Sequence, residues 1–142
     1  MSVFVVDASL VVKWFIPEIH SEAARRWLRA SHDYVAPDLL FSEAGNTVWK
    51  KVRRKELEEI EGRQLVRDLA QVAVETVATR SVLEDALALA LTAGITVYDA
   101  MYLALAVRLE TEVITGDDRL AAKVASRPLL AGHVRRLQEF VE

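Results

Sequence analysis

The run Val3-Phe4-Val5-Val6 is apolar at every position and stops at Asp7. A half-exposed strand alternates apolar and polar residues, whereas a continuous apolar run rich in β-branched residues marks a strand buried on both faces, as in parallel sheets. Asp33 to Ala36, Glu75 to Ala78, Glu112 to Thr115 and His133 to Arg136 read as further short strands. Helical segments lie between them: Leu10 to Ile16 (stopped by Pro17), Ser21 to Ala30, Pro37-Asp38 through about Arg53, Glu56 to Val72, Leu83 to Ala93 (ended by Gly94), Tyr98 to Leu109, and Asp118 to Ala125. The tail, Leu137 to Val141, reads as a terminal helix. Strands alternating with helices predict an α/β fold: a three-layer sandwich with a short, mostly parallel central sheet. No repeat, low-complexity tract or linker interrupts the pattern, so residues 1–142 are expected to form one domain.

A chain of 142 residues can bury roughly 70% of the surface its unfolded form exposes, so a packed core needs no staples. Cysteine is absent, which excludes disulfides, thiolate metal sites and a Cys nucleophile. The net charge of −3 means that contact with nucleic acid must come from a local basic patch. Met1 to Val6 lack a preceding Lys or Arg and are cut short by Asp7, unlike a signal peptide. The longest charge-free apolar stretch, Ala86 to Tyr98, falls well short of the roughly 20 residues that span a bilayer. A cytoplasmic protein with no membrane partner is the expectation.

In open parallel sheets, ligands bind beyond the carboxyl ends of the strands. Asp7 and Asp117 sit where predicted strands stop, while Glu43 and Asp99 lie in helices between apolar neighbours, Leu39-Leu40-Phe41-Ser42 and Val97-Tyr98 among them. Each acid alone also suits a structural role. Asp7 and Asp117 or Asp118 are placed to cap the following helices, Asp99 lies three residues after Thr96 in capping-box spacing, and Glu43 suits a half-buried pairing with an arginine. Their combination argues for more. Two carboxylates about 4 Å apart repel by about 4 kcal/mol at an effective dielectric of 20, so such a group takes up protons or holds a cation. With oxygen ligands only, Mg²⁺ or Mn²⁺ is favoured over Zn²⁺.

The order Asp7-Ala8-Ser9 after the first strand, Glu43 in a helix, Asp99-Ala100 opening another, and Thr115-Gly116-Asp117-Asp118-Arg119-Leu120 resembles the PIN-domain family over nearly the whole chain. Within that family it looks most like the ribonuclease toxins of bacterial and archaeal VapBC toxin–antitoxin pairs. The resemblance implies a single PIN-like nuclease domain, in which Asp7, Glu43, Asp99 and Asp117 are the metal-binding and catalytic acids. Ser9 and Thr115 would be helpers at the site, with Asp118 as a further candidate. It implies hydrolysis of RNA phosphodiesters with Mg²⁺ or Mn²⁺, leaving a 5′-phosphate and a 3′-hydroxyl. It also implies a small antitoxin protein as partner and a homodimer. A PIN nuclease that processes RNA without acting as a toxin is the alternative.

An anionic substrate needs a positive path to an acidic pocket. Lys50-Lys51-Val52-Arg53-Arg54-Lys55 is the densest basic run. At about 100° per residue, Lys50 and Arg54 fall within about 20° of Glu43, a stripe reaching roughly 16 Å from it and suited to phosphates. The same run also suits a solvated helix end balanced by Glu56, Glu58, Glu59 and Glu61, and Arg25, Arg26 and Arg29 form a weaker second patch. His20, His32 and His133 are read as surface residues, and Trp14, Phe15, Trp27 and Trp49 as core or interface. Trp14-Phe15-Ile16-Pro17, apolar all round, points to a subunit or partner contact.

Two rival classes fit less well. A dehalogenase-like phosphatase places a second Asp two residues after the first, where Ser9 stands here. A phospho-receiver module pairs two acids at the first strand end and puts a Lys after a late strand. Asp7 has no acidic neighbour, and no Lys follows Thr115 before Lys123.

Overall fold

The structure, a computed structural model, describes residues 2–142. Strands β1 (Val3–Val6), β2 (Asp33–Pro37), β3 (Glu75–Val77), β4 (Val113–Thr115) and β5 (Val134–Arg136) form one sheet in the order β3-β2-β1-β4-β5. Every pairing is parallel. β1 is the central strand: Val5 lies opposite Val35 on one side and Val113 on the other. Val5 and Val6 are fully buried, as an uninterrupted apolar strand requires.

The helices among the described residues are α1 (Ala8–Phe15), α2 (Ser21–Arg29), α3 (Leu39–Arg53), α4 (Glu59–Leu69), α5 (Leu83–Ala93), α6 (Val97–Arg108), α7 (Asp118–Val124) and α8 (Pro128–Ala131). They cover both faces of the sheet and complete a three-layer sandwich. α6 packs on β1, β2 and β4, and every residue from Ala100 to Ala106 is buried. A helix apolar on all sides is stable only in such surroundings. α5 ends at Gly94, whose φ of +68° lies in the left-handed region that costs glycine nothing. The turn bends α5 and α6 by 111°, and among the described residues no single helix is long and apolar enough to cross a membrane.

Several expectations need correction. The apolar segment from Trp14 to Ile16 is covered within the chain, against α2 and α3, rather than left for a partner. Trp14 Nε1 donates to the Ala24 carbonyl at 2.8 Å. Leu137 to Val141 is not a helix. Its backbone is spoken for elsewhere: the Leu137 N–H donates to the Thr115 carbonyl at 2.8 Å, and Trp27 Nε1 donates to the Leu137 carbonyl at 2.7 Å. Five residues cannot offset helix nucleation against such contacts. The helix expected at Glu56 begins at Glu59 because Glu61 Oε1 caps the Glu58 N–H at 3.0 Å, and it ends at Leu69. The short α8, with Pro128 at its first turn, was not anticipated. His20 is exposed, but His32 and His133 are half-buried. His32 packs against Phe4 at 4.9 Å between ring centres, and His133 Nδ1 sits 2.7 Å from the Thr111 carbonyl.

Candidate active site

From β1 the chain winds outward through β2 and β3, then returns to the opposite side of β1 with β4. A crevice opens where the winding reverses, beyond the carboxyl ends of two adjacent strands. Asp7 immediately follows β1, and Asp117 lies two residues past β4. Sheet topology alone thus brings them to one place.

Asp7 is 8% exposed and performs the capping role at the head of α1. Its Oδ1 accepts from the Leu10 N–H at 3.1 Å and from Ser9 Oγ at 2.6 Å, and Oδ2 accepts from Thr115 Oγ1. Ser9 Oγ accepts in turn from the Gly116 N–H at 2.8 Å, and Thr115 Oγ1 from the Asp117 N–H at 2.9 Å. Ser9 and Thr115 therefore lock the two strand ends together. Gly116 is needed for that closeness: a Cβ there would stand 3.3 Å from Ser9 Oγ, 3.1 Å from Lys13 Cε and 3.0 Å from Leu137 Cδ2.

α3 and α6 bring in the other two acids. Glu43 is half-buried and, instead of an arginine, meets Tyr102, whose hydroxyl donates to Oε1 at 2.6 Å. Asp99 is half-buried in the first turn of α6, where its N–H donates to Thr96 Oγ1 at 3.1 Å. Asp117 caps α7 by accepting from the Arg119 N–H at 2.9 Å.

Electrostatics ties the acids into one group. Burial pushes Asp7 up to about 6, with the Asp117 charge adding to it against the lowering effect of Ser9, Thr115 and the Leu10 N–H. Burial and then Asp117 raise Asp99 above the usual carboxylate range. Burial raises Glu43, and Asp99 adds to the rise against the Tyr102 hydrogen bond. Asp7, Asp99 and Glu43 are each raised in part by another of the acids, which is the situation a cation relieves.

Among the described residues, no three carboxylate or imidazole groups converge tightly enough, as their side chains stand, to enclose a metal ion. The side-chain contacts explain this: Asp7 is turned onto Ser9, Thr115 and α1, Glu43 Oε1 onto Tyr102, and Asp117 Oδ1 onto Arg119. Glu43 Oε2 and Asp117 Oδ2 accept no hydrogen bond among the described residues. An all-carboxylate donor set at a strand-end crevice, three of its members raised chiefly by burial, has the oxygen chemistry that suits a hard divalent cation.

Asp118 stands apart: it is exposed, with Oδ1 3.8 Å from Arg136 Nη1. Lys50 and Arg54 are exposed, and both line a cleft of about 250 Å³ that also touches Ser9 and Gly116. The cleft reaches the acidic group through Ser9, which bonds to Asp7, and Gly116, and Glu18 and Glu56 also line it. Its wall also holds Lys51, from the same basic run, and Lys13, which the sequence did not mark out. Lys13 donates to Glu18 at 3.1 Å and Lys51 to the same carboxylate at 2.7 Å, and this pairing keeps Glu18 below the usual carboxylate range against the cost of burial. Tyr102 was also missed, hidden among the apolar residues of α6. Its position three residues after Asp99, on the same helix face, was the available signal.

Comparison with known proteins agrees with this architecture. The PIN domain family matches residues 4–125. Ribonuclease VapC3 of Pyrobaculum aerophilum is 39% identical over 121 residues, covering 84% of this chain and 92% of that protein. Ribonuclease VapC1 of Mycobacterium tuberculosis is 32% identical over 118 residues, covering 83% and 88%. Among solved structures, PAE2754 from Pyrobaculum aerophilum superposes with a TM-score of 0.68 at 23% identity, over 97% of this chain and 93% of that one. Mycobacterium tuberculosis VapC20, described as a sarcin-ricin loop cleaving toxin, gives 0.66 at 13% identity, over 84% and 93%. The strand order and the strand-end acids define an α/β chain of nuclease-like design. The chain belongs to the PIN domain family, which sets aside the receiver-like and phosphatase-like readings.

Proposed function

We propose that this chain is a divalent-metal-dependent endoribonuclease, and the toxin of a type II toxin–antitoxin pair. The observation that carries the reading is the placement of Asp7 and Asp117 at adjacent strand ends where the winding reverses, with half-buried Glu43 and Asp99 brought in by α3 and α6. The names of the VapC relatives support RNA as the substrate.

In this reading the four acids hold Mg²⁺ or Mn²⁺, which when bound lowers the pKa of a water and offsets charge on the attacking and leaving oxygens. Asp7 is held rigid by Ser9, Thr115 and the first turn of α1, so it serves as a fixed ligand. Asp117, with Oδ2 free of hydrogen bonds among the described residues, orients the attacking water. Lys50 and Arg54 bind phosphates of the strand as it leaves the site along the cleft beside Ser9 and Gly116. Glu18 holds Lys13 and Lys51 against that cleft's wall. The chain's protein partners are a small antitoxin and a second copy of itself, in the cytoplasm.

The test is a metal titration with single-stranded RNA. Cleavage should require Mg²⁺ or Mn²⁺, cease with EDTA, and be lost in Asp99→Asn. Undiminished cleavage by that variant overturns the assignment. A small gene encoded immediately upstream, whose product silences cleavage, separates a toxin from an RNA-processing nuclease.

A further inference from the structure

Tyr102 is 2% exposed, yet its hydroxyl is not spent on the core: it reaches from α6 to α3 and donates to Glu43 Oε1 at 2.6 Å, across 59 residues of chain. The neighbours of Tyr102 on α6, Met101, Leu103, Ala104, Leu105 and Ala106, are all buried and apolar. A phenylalanine would satisfy that packing equally well. The hydroxyl therefore needs a reason of its own, and Glu43 is the only side chain it bonds among the described residues.

Glu43 is the acid least restrained by its own element. Asp7 and Asp117 accept hydrogen bonds from backbone N–H groups at helix N-termini, Asp99 lies in the first turn of α6, and each has a short side chain. Glu43 lies in the second turn of α3, one methylene longer, with no capping contact. Left alone it would sample several rotamers and turn to solvent.

We propose that Tyr102 is a positioning residue for the divalent cation: by holding Glu43 through Oε1 it fixes the carboxylate and leaves Oε2 for the ion. The inference rests on the metal-dependent reading above. Outer-sphere hydrogen-bond partners of metal ligands are typically worth about 10–100-fold in affinity or activity.

The experiment measures Mn²⁺ binding by electron paramagnetic resonance in the absence of RNA, for wild type, Tyr102→Phe, Glu43→Gln and the double variant. Tyr102→Phe should bind Mn²⁺ at least roughly tenfold more weakly, with a Tm near that of wild type, and cleavage should be recovered by raising the Mn²⁺ concentration. In the Glu43→Gln background the same substitution should change nothing further. Equal affinity for wild type and Tyr102→Phe overturns the role of Tyr102 while leaving the metal site standing. An equal loss in both backgrounds also overturns it, because the hydroxyl then acts by another route; this arm decides the matter even if Tyr102→Phe lowers the Tm. Wild type that binds no Mn²⁺ removes the metal-dependent reading and this inference together.

Discussion

Thr115 donates a hydrogen bond to Asp7 from the end of the neighbouring strand, 108 residues away in the chain. With Ser9 on the other oxygen, this bond keeps a buried carboxylate at a fixed place without an ion-pair partner. The hydrogen bonds do not fully offset desolvation, and Asp7 is pushed up to about 6 from 3.8.

That imbalance gives a pH signature. Unfolded Asp7 loses its proton near 3.8, whereas folded Asp7 keeps it to about 6, so the native state binds the extra proton between the two. Stability of the metal-free protein should therefore fall as pH rises through that window and stay low above it. The shift corresponds to about 3 kcal/mol at 1.36 kcal/mol per unit. Glu43 and Asp99, also raised, add in the same direction. Asp7→Asn retains a cap acceptor for α1, so in EDTA at pH 8 it should melt above wild type, and the difference should vanish near pH 4. Thermal melts across pH 4–8 check this.

Neutralisation of these buried carboxylates by a cation should raise the Tm of wild type. At a hundredfold excess over Kd a bound ligand contributes about 2.7 kcal/mol, a rise of roughly 5–10 °C for a chain of this size. Differential scanning fluorimetry with Mg²⁺ and Mn²⁺ at pH 8 reads it, and Asp99→Asn should lose most of the gain.

The cleft beside the acids predicts how RNA binding depends on salt. Lys50 and Arg54 have no carboxylate within ion-pair distance among the described residues, whereas Lys13 and Lys51 are held by Glu18. Removing one cation that neutralises a phosphate should flatten the log–log salt slope by about 0.7 for single-stranded RNA. Lys50→Gln with Arg54→Gln should therefore reduce the slope by about 1.4. Fluorescence anisotropy in EDTA, over a series of KCl concentrations, measures it without cleavage.

Gly116→Ala forces a methyl against Leu137, Lys13 and Ser9 at 3.0–3.3 Å. Leu137 is buried and Lys13 is tied to Glu18, so neither yields freely. Overpacking of this kind typically costs about 1–3 kcal/mol. The variant should melt lower and cleave RNA more slowly as Ser9 is displaced from Asp7, while its affinity for RNA in EDTA stays close to wild type.

Local chemistry explains what could be read in advance. β1 was legible because Val3 to Val6 leave no polar face, and α5 ended where Gly94 takes a positive φ. The candidate acids stood out through their order, and their places in the fold were legible: Asp7 and Asp117 just past strand ends, Glu43 and Asp99 against the apolar grain of their helices. What escaped depends on pairs distant in sequence. The tail is drawn into place by Thr115 and Trp27, which nothing between Leu137 and Val141 announces. Tyr102 looks like one more core aromatic until Glu43 is placed beside it. Likewise, Lys13 and Lys51 become a pair only through Glu18, from a loop between helices.

The placement of β4 beside β1 carries a consequence for biosynthesis. A ribosome that has polymerised the chain as far as Arg108 has already supplied Asp7, Glu43 and Asp99, but β1 still lacks the neighbour that leads to Asp117. The nascent polypeptide thus carries most of its acids long before it owns a pocket, and translation halted at that point yields a fragment in which Asp7 has neither Thr115 to hold it nor a fourth carboxylate to face.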